Sequence, residues 1–411
     1  MVAGHLASRA VAVVGAGVRT PAGNTVDDLW ASLCAGASTA ELFEDERLPP
    51  GEATLVCRVR DFDPTAYLKP IEVRRLDRSH ALAIAAAQDA IDQCGELPPA
   101  PRCAVVCGVG LPAASTYEQQ LANLLTGGVR ALSPVTIPMV MPSSVASLLS
   151  LRFGFQGPCV TVSAACASGA AAIAEGVELL RRGAADAVLA GGVDSLVTYG
   201  PLCGFMKLDA MSRNVTRPEL GSRPFDVDRD GFVMGEGAGF VVLTNVEDVN
   251  GGSALGVVMG HASTADAHHL VAPSPDGEGA LRCMSLALMD AEVQASEIAH
   301  VNAHGTSTVY NDLAEAQALT SLFAGAGPPV TAVKGTTGHM IAGSGAVEAV
   351  VALASVAKCL VPPVSGLRNV DPDIGVDVVQ GAPRTVRPGP ALSNSFGFGG
   401  ANTVLVLGAS L

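Results

Sequence analysis

Charged side chains are scarce in this sequence, and basic ones are scarcer than acidic ones. Only 16% of the 411 residues are charged, with 25 Lys and Arg against 39 Asp and Glu and a formal net charge of −14. Nucleic-acid-binding proteins normally carry a basic footprint, so this balance argues against nucleic acid as a partner. A low charged fraction is typical of a large chain that buries much of its surface.

The sequence also lacks the patterns of zinc-binding, membrane-spanning and secreted proteins. None of the ten cysteines belongs to a CxxC pair, which argues against a structural zinc site. No apolar run reaches the roughly 18 residues of a membrane helix, and no signal peptide opens the sequence. We therefore expect a cytoplasmic protein that binds no metal, does not enter a membrane and keeps most of its cysteines reduced.

One glycine pattern resembles a dinucleotide-binding loop without completing it. Gly15 and Gly17 follow an apolar run, but the third glycine of such a loop would fall at position 20, which is Thr20. The pattern therefore predicts a strand that ends in a turn, and no nucleotide cofactor.

What the sequence does contain is an alternation of short apolar runs and amphipathic segments, which predicts an α/β protein with helices packed on sheets. One helical segment opens on Ser79, a good N-cap residue. Asn250-Gly251-Gly252 marks a boundary between two halves, residues 1–252 and 253–411. The predicted strands are 11–14, 103–109, 159–165, 187–190, 298–303, 330–333, 391–396 and 403–407, and the predicted helices are 79–94, 168–182, 312–323 and 346–357.

Cys166 lies between a β-branched run and a segment rich in Ala, Ser and Gly. The sequence predicts a strand-to-helix turn here, where free N–H groups and the positive end of the helix favour a thiolate and can hold an oxyanion. Small neighbours leave room for a substrate beside the sulfur. The alternative is a buried structural cysteine, the usual role of a cysteine in a core.

Two histidines follow predicted strands and stand in glycine-containing loops. His304 precedes a glycine and three hydroxyl residues, and His339 closes the run Lys-Gly-Thr-Thr-Gly-His. Ligands of α/β proteins bind at the carboxyl ends of strands, and a neutral imidazole can donate a hydrogen bond or shuttle a proton. Lys334 is close enough to share the site, and Glu348 can hold its charge. The alternatives are a loop-capping His304 and an exposed Lys334.

Phe396 and Phe398 lie in a glycine-rich turn close to the end of the sequence. Two phenylalanines in such a turn can gate a hydrophobic tunnel, and the alternative is a β-hairpin with core aromatics. One cysteine and two histidines at strand ends, facing glycine loops, describe Cys/His nucleophilic catalysis.

Together these motifs resemble those of the β-ketoacyl synthase family, the thiolase-fold condensing enzymes. The resemblance covers nearly the whole chain, and its main segments are 20–24, 160–170, 229–237, 304–308, 334–339 and 396–400. The family implies two related mixed α/β halves stacked as a five-layer αβαβα sandwich, and a dimer. It also implies an acyltransferase without a cofactor of its own, since phosphopantetheine arrives on an acyl carrier protein.

By this resemblance, Cys166 takes an acyl chain as a thioester. His304 and His339 then stabilise the enolate that forms when malonyl-carrier protein loses carbon dioxide, and the N–H groups of Cys166 and Phe398 form an oxyanion hole. The physical chemistry agrees, because two neutral imidazoles can donate hydrogen bonds to a thioester oxygen that becomes negative.

The resemblance assigns supporting roles as well. Lys334, paired with Glu348, would organise the second histidine, and Phe398 would gate the acyl chain beside Phe396. The pantetheine arm would be held by Thr306 and Thr308. The acyl pocket would be lined by Met139, Met141, Phe205 and Met206. A basic patch for the carrier protein would consist of Arg74, Arg75, Arg130 and Arg213. For the methionines the alternative is core filling, and for the arginines a solvated helix face.

Within the family the sequence favours an active elongating subunit, because chain-length-factor subunits lack the cysteine and thiolases lack this second histidine setting. Ala401, Val309 and Tyr310 depart from the housekeeping pattern. They favour the ketosynthase of a type II polyketide system over a housekeeping fatty-acid enzyme. The partner is either a second copy or a chain-length-factor-like subunit, and the sequence leaves both open. The other functions to be separated are a non-catalytic partner subunit, a degradative thiolase and a cysteine hydrolase.

Overall fold

The structure is a computed structural model that describes residues 10–48, 53–249, 254–325 and 327–410. The strands of this part of the chain are β1 Val11–Arg19, β2 Glu41–Phe43, β3 Thr54–Cys57, β4 Cys103–Val109, β5 Cys159–Val162, β6 Ala187–Ser195, β7 Met234–Asn245, β8 Gly256–Ala265, β9 His300–Asn302, β10 Val330–Thr331, β11 Leu360–Val361, β12 Arg384–Thr385, β13 Ala391–Gly397 and β14 Ala401–Gly408. Its helices are α1 Val26–Cys34, α2 Pro70–Arg75, α3 Arg78–Asp92, α4 Ala114–Gly127, α5 Thr136–Val140, α6 Ser144–Phe153, α7 Ser168–Arg181, α8 Tyr199–Lys207, α9 Glu278–Asp290, α10 Val309–Leu322, α11 Lys334–Thr337 and α12 Ala342–Lys358.

Ten of the strands form two five-stranded units with the same topology. The first unit has the order β5-β4-β6-β7-β1 and the second has the order β10-β9-β13-β14-β8. In each unit two parallel pairings are followed by two antiparallel ones. The units meet where the first three residues of β1 pair antiparallel with the start of β8.

Helices cover both faces of each unit. α7 and α12 pack against each other between the two units, α3 and α6 cover the outer face of the first, and α9 and α10 cover the outer face of the second. The order is α, β, α, β, α, which confirms the predicted five-layer sandwich. None of the helices in the described ranges is long and apolar enough to cross a membrane.

The largest apolar cluster fills the space between the two units and draws on both halves of the chain. Val106 and Ile173 of the first half meet Val350 and Leu405 of the second in this cluster. α12 is buried along nearly its whole length because it contacts both units. This placement explains why its sequence is apolar or small all round and not along one stripe.

Several predicted boundaries shift, and for two of them the structure shows a local reason. α3 begins at Arg78 because its N-cap is Asp77 and not Ser79: the Asp77 carboxylate accepts the N–H of Ser79 at 2.9 Å. β5 ends at Val162, three residues earlier than predicted, because the chain turns into a short 3₁₀ helix at Ala165–Ala167.

β1 continues through the glycine pattern to Arg19, so the turn predicted after its apolar run is wrong. A Cβ on Gly15 or Gly17 would lie 2.0 Å from a carbonyl oxygen of α3, at Ala90 or Ala86. The glycines therefore allow β1 and α3 to pack closely. The aspartates that line the adjacent cavity, and that would repel a phosphate, are Asp27, Asp89 and Asp92.

The predicted boundary at Asn250-Gly251-Gly252 lies outside the described residues. β7 ends at Asn245 before it, and β8 begins at Gly256 after it. The division into residues 1–252 and 253–411 stays a prediction.

Candidate active site

Cys166 lies where β5 gives way to α7. Ala165 adopts a positive φ of 48°, which turns the chain sharply just before the cysteine. The Ser168 hydroxyl accepts the N–H of Ala164 at 2.8 Å and donates to the carbonyl of Ala165 at 2.6 Å, which holds this turn. The Cys166 side chain is buried.

Burial outweighs the polar groups around the Cys166 sulfur. It raises the pKa of the thiol to about 11, while the Lys334 charge and the N–H groups of Phe398 and of Cys166 itself oppose that rise. The helix N-terminus therefore does not produce a resting thiolate, contrary to the expectation from the sequence. The N–H groups of Phe398 and Cys166 both reach the sulfur, and their role as an oxyanion hole stays a prediction.

His304 follows β9 directly, and a buried carboxylate fixes its backbone. Glu315 on α10 accepts the N–H groups of His304 at 2.8 Å and Gly305 at 2.9 Å, and the side-chain amide of Asn394 at 3.0 Å. Burial raises the pKa of Glu315 to about 7. The sequence analysis missed Glu315, whose only signal is an acidic residue in the helix directly after the His304 loop.

Lys334 organises His304 and not His339. Its ammonium lies 3.2 Å from His304 Nδ1, 2.5 Å from the carbonyl oxygen of His304 and 2.5 Å from the Glu348 carboxylate, all of them buried. The assignment of Lys334 to the second histidine is therefore wrong, because Lys334 follows β10, the parallel neighbour of the strand that carries His304. An ammonium can only donate, so Nδ1 of His304 accepts and its Nε2 carries the ring proton.

His339 is not at the end of a strand, so the predicted strand end is wrong for this histidine: α11 lies between β10 and His339, which forms a β-bridge with Met234 of β7. Its N–H donates to the Val233 carbonyl at 2.8 Å, and its carbonyl accepts the N–H of Gly235 at 2.9 Å. Its ring packs edge-on against those of Phe232 and His304, with ring centres 5.3 and 5.5 Å away. Burial and the charge of Lys334 hold the pKa of both histidines well below the usual value, so both imidazoles are neutral at neutral pH.

The three reactive side chains converge. The thiol sulfur of Cys166 and one ring nitrogen of each histidine lie within 4.8 Å of one another, and in the described part of the chain this is the one group spaced to hold a metal ion. The donor chemistry does not suit a metal, because Lys334 occupies Nδ1 of His304 and leaves a proton, not a free lone pair, on Nε2. The arrangement suits hydrogen-bond donation to a developing negative charge.

A cavity of about 420 Å³ adjoins these three side chains. Its inner wall is aromatic: Phe205 packs against Phe232 and Phe398 with ring centres 5.7 and 6.3 Å apart, and Phe396 lies 5.9 Å from the His304 ring. Cys166, His304 and His339 are buried beside this wall, and a hydrogen bond to charge that develops in such apolar surroundings is stronger than it is in water.

The turn that carries Phe396 and Phe398 approaches the nucleophile so closely that it needs a glycine. A Cβ on Gly397 would lie 2.6 Å from the carbonyl oxygen of Ala164 and 3.1 Å from the nitrogen of Cys166. This approach brings the N–H of Phe398 to the sulfur. Both phenylalanines line the cavity, and their role as a gate stays a prediction.

Thr306 and Thr308 line the same cavity, with their hydroxyl groups 2.8 Å apart. Thr308 is also the N-cap of α10, since its hydroxyl accepts the N–H of Asn311. Their contact with a pantetheine arm stays a prediction.

Of the four predicted acyl-pocket residues, Phe205 lines this cavity and the three methionines do not. Met206 lines a separate cavity of about 260 Å³. Met139 and Met141 lie at α5 near the surface, and Met141 is exposed. Within one chain these two do not line the cavity beside Cys166, so an acyl-pocket role would need a second subunit to close the pocket over them.

The four arginines of the predicted basic patch are all exposed. Arg74 and Arg75 form the last turn of α2, and Arg130 lies in a 3₁₀ turn after α4. Arg213 pairs with Asp209, which lines the cavity. Recognition of a carrier protein by these side chains stays a prediction.

A second buried carboxylate braces the site from the other side and was also missed. Asp194 accepts the N–H groups of Gly110 at 3.0 Å, Leu111 at 3.1 Å and Ala342 at 3.0 Å, which ties the ends of β4 and β6 to the start of α12. Burial raises the pKa of Asp194 to about 7. Its three partners are distant in the sequence, so no local pattern could have predicted it.

A thiol that can carry an acyl group therefore faces two imidazoles that can stabilise an enolate, beside a cavity with an aromatic inner wall. On a five-layer αβαβα sandwich, this is the arrangement of a thiolase-fold condensing enzyme.

Comparisons with known proteins narrow this class to a family. The models of the Beta-ketoacyl synthase N-terminal and C-terminal domains match residues 8–249 and 255–368. The chain is 37% identical to 3-oxoacyl-[acyl-carrier-protein] synthase 2 of Synechocystis sp. over 98% of each sequence. A type II polyketide ketosynthase, solved with its acyl-carrier protein, covers 98% of this chain and 99% of its own with a TM-score of 0.90 and 27% identity. The ishigamide ketosynthase/chain length factor has the same coverage, a TM-score of 0.88 and 30% identity.

The chain belongs to the β-ketoacyl synthase family. It is an acyltransferase that forms carbon–carbon bonds by Claisen condensation in fatty-acid or polyketide elongation. The N-terminal match contains Cys166, and the C-terminal match contains His304 and His339, so the matches cover all three reactive residues.

Proposed function

We propose that this chain joins an acyl group carried on Cys166 to a malonyl unit, and that it works in a type II polyketide system. The observation that carries the catalytic assignment is the convergence of the Cys166 thiol and two neutral imidazoles within 4.8 Å, in an aromatic cavity. A thiol with one imidazole would fit a hydrolase. A second neutral donor is what the negative oxygen of a decarboxylating thioester needs.

In the first half-reaction, an acyl thioester arrives on the phosphopantetheine arm of a carrier protein. The Cys166 sulfur attacks its carbonyl carbon, and the oxygen accepts hydrogen bonds from the N–H groups of Cys166 and Phe398. The pantetheine thiol leaves with the proton that Cys166 gives up, so the exchange needs no net acid or base. Because the pKa of Cys166 is about 11, the proton leaves during the attack and not before it.

In the second half-reaction, malonyl-carrier protein loses carbon dioxide. The electron pair of the broken bond forms an enolate, whose oxygen accepts hydrogen bonds from His304 and His339. The enolate carbon attacks the Cys166 thioester, and the tetrahedral oxyanion collapses with the cysteine sulfur as the leaving group. The sulfur takes up one proton from solvent for each carbon dioxide released. Neutral imidazoles suit this step, since an imidazolium would protonate the carbanion.

Support for a polyketide substrate comes from the wall of the cavity. Val309 and Tyr310, which depart from the housekeeping pattern, both line it. The polar side chains in the same wall, which can hydrogen-bond the keto groups of a polyketide, are Asp266, His269 and Asn402. In competition, an acetoacetyl-carrier protein should be elongated faster than a butyryl-carrier protein. A clear preference for the saturated chain would instead indicate the housekeeping fatty-acid enzyme.

We propose that the acyl carrier protein docks on the exposed arginines of the predicted basic patch. Carrier proteins are acidic, and a basic cluster on a chain of net charge −14 would orient them by electrostatic attraction. The residues of this patch are Arg74, Arg75, Arg130 and Arg213.

A second subunit fits a different surface. In the described part of the chain β5 is a terminal strand of its unit and pairs only with β4. Exposed apolar side chains lie on and after α4. This helix contacts α5, α5 contacts α6, and α6 contacts β5. We call these side chains the apolar surface, and they are Leu121, Leu124, Leu125, Val129 and Ile137. An open strand edge and an apolar surface favour a partner, which we propose is a chain-length-factor-like subunit, with a homodimer as the alternative.

Intact-mass analysis tests the reaction. The protein, co-expressed with its partner subunit where needed, should gain an acyl mass on Cys166 from acyl-carrier protein and then release a ketoacyl-carrier protein when malonyl-carrier protein is added. Cys166→Gln should lose elongation but keep or increase malonyl decarboxylation, because glutamine roughly mimics the acylated cysteine. His304→Ala, its matched control, should still acylate but not decarboxylate. Elongation by Cys166→Gln would refute the nucleophile assignment.

The same assay separates the other functions. A cysteine hydrolase would release a free acid, a thiolase would use coenzyme A esters without releasing carbon dioxide, and a non-catalytic subunit would never acquire an acyl mass. A folded protein that does not acylate even with its partner would overturn the proposed function.

A further inference from the structure

Ser344, in the first turn of α12, contacts the second histidine. Its hydroxyl oxygen lies 3.1 Å from Nδ1 of His339 and accepts the backbone N–H of Met340 at 2.9 Å. The residue is buried. Neither the family resemblance nor the sequence motifs singled out this serine.

The two contacts together favour one direction for the hydrogen bond to His339. A hydroxyl has one hydrogen to donate, and the oxygen of Ser344 is already an acceptor for Met340. In the described part of the chain, Nδ1 of His339 is the acceptor within reach of that hydrogen. If Nδ1 donated instead, the Ser344 hydrogen would have no acceptor among the described residues, which is costly for a buried hydroxyl. The arrangement in which Nδ1 accepts and Nε2 carries the ring proton satisfies both groups.

Nε2 of His339 is the atom that this arrangement leaves free. It is buried and has no hydrogen-bond partner among the described residues, and the His339 ring lines the catalytic cavity. A buried N–H without a partner is costly, so this group is available to a substrate oxygen. The same logic holds for His304, whose Nδ1 accepts from the Lys334 ammonium. Two different donors thus give the two histidines the same tautomer.

We propose that Ser344 is a positioning residue that holds His339 as its Nε2–H tautomer, ready to donate to the enolate oxygen. The inference rests on the proposed decarboxylation for its kinetic consequence, but the tautomer can be observed without any turnover. Ser344 does not touch the substrate and acts only through His339.

The direct test is ¹⁵N NMR of the full-length protein labelled on histidine, with the His339 signals assigned from their loss in His339→Gln. The expected result is a protonated Nε2 and an unprotonated Nδ1 in the unsubstituted protein, and a mixture of tautomers in Ser344→Ala. A protonated Nδ1 in the unsubstituted protein would overturn the proposal, whatever the activity of the protein is.

The kinetic test measures decarboxylation of malonyl-carrier protein. Ser344→Ala should lower kcat about five- to tenfold, roughly the contribution of one neutral hydrogen bond, without changing KM or the acylation of Cys166. Ser344→Thr, which keeps the hydroxyl, should restore most of the rate. The matched control is Ser355→Ala on the same helix, a buried serine whose hydroxyl has no partner among the described residues, and it should retain the full rate.

The outcomes are distinguishable from a failure of the proposed function. An unsubstituted protein that does not decarboxylate malonyl-carrier protein refutes that function and leaves the NMR test to decide the role of Ser344. Equal rates for Ser344→Ala and the unsubstituted protein refute the positioning role alone. If Ser344→Ala does not fold, the tautomer in the unsubstituted protein and the rate of Ser344→Thr decide.

Discussion

Cys166, His304 and His339 are removed from solvent at the same place, and burial shifts their pKa values in opposite directions. It raises the pKa of the thiol and lowers the pKa of the imidazoles, so all three groups are neutral at rest. The charged pair Lys334–Glu348 lies beside them, fully buried. The reacting atoms of such a site are therefore neutral at rest. Its N–H groups can donate hydrogen bonds to the negative oxygen that forms only during the reaction.

The protonation state of Cys166 can be measured by alkylation with iodoacetamide. Because the thiolate is the reactive form and the pKa of the thiol is about 11, the rate should rise about tenfold per pH unit between pH 7 and pH 9. Peptide mapping would follow the modification of Cys166, and Cys166→Ala would give the background rate. A rate that is already level above pH 7 would show that the helix N-terminus produces a thiolate after all.

The histidines make a second prediction at this scale. Their lowered pKa values mean that decarboxylation by Cys166→Gln should not fall near pH 6.5, where an ordinary histidine gains its proton. The rate should decline only at lower pH, where the imidazoles gain a proton and become charged despite the nearby Lys334 ammonium. A half-maximal rate at pH 6.5 in a pH profile of carbon dioxide release would contradict this.

At the scale of elements, strand ends from both halves deliver the reactive groups to one cavity. β5 delivers Cys166, β9 delivers His304, and the turn between β13 and β14 delivers the N–H of Phe398. The turn must come within van der Waals distance of the nucleophile segment, and a residue without a Cβ is required for that approach.

Gly397→Ala should therefore impair the oxyanion hole. A Cβ at this position would lie 2.6 Å from the carbonyl oxygen of Ala164, so the turn must move and withdraw the N–H of Phe398 from the sulfur. We expect the acylation rate to fall about a hundredfold, the usual effect of losing one oxyanion donor, while the protein stays folded. Stopped-flow acylation and circular dichroism would measure the two effects.

Gly399→Ala is the matched control in the same turn. Its φ is +80°, but a Cβ on Gly399 would have no described atom within 4 Å, so the substitution should cost about 1 kcal/mol of stability and change acylation little. Equal losses of acylation in the two variants would show that flexibility of the turn, and not its close approach, is what matters.

At the scale of the whole molecule, the described residues include the open edge of β5 and the apolar surface on and after α4. Leu125 and Val129 are each 78% exposed. Large exposed apolar side chains mark interaction sites when they are contiguous, and Met139 and Met141 belong to the same stretch of chain. A partner subunit at this surface would therefore also cover the predicted acyl-pocket methionines.

Leu125→Glu tests this surface. A charge in the middle of an apolar interface loses its water without gaining a partner. We therefore expect the dissociation constant of the proposed dimer, with either a second copy or a co-expressed partner, to rise roughly a hundredfold. Sedimentation velocity would measure it. Met289→Glu is the matched control, because Met289 is 69% exposed on α9, on the opposite outer layer. Unchanged association of Leu125→Glu would place the interface elsewhere.

The sequence by itself was enough to single out Cys166, His304 and His339 as candidate reactive residues and to predict an α/β backbone for them. A β-branched run followed by small residues predicts the strand-to-helix turn at Cys166, and a glycine loop after an apolar run predicts the strand end before His304. The same pattern wrongly predicts a strand end at His339, because it does not reveal α11. These signals act over a few residues, through side-chain periodicity and the conformational freedom of glycine, so they can be recognised without the fold. The family resemblance then supplied the five-layer architecture.

Only the tertiary structure decided how the reacting groups are tuned. In the folded chain Lys334 contacts His304, and Ser344 contacts His339. The carboxylates of Glu315 and Asp194 accept backbone N–H groups of the loops beside them. Burial raises the pKa of the Cys166 thiol, which the helix alone would lower. The tertiary structure also showed that Met139, Met141 and Met206 do not line the cavity within one chain. The physical reason is that burial and hydrogen-bond partnership depend on which distant segments pack together, and no local pattern contains that information.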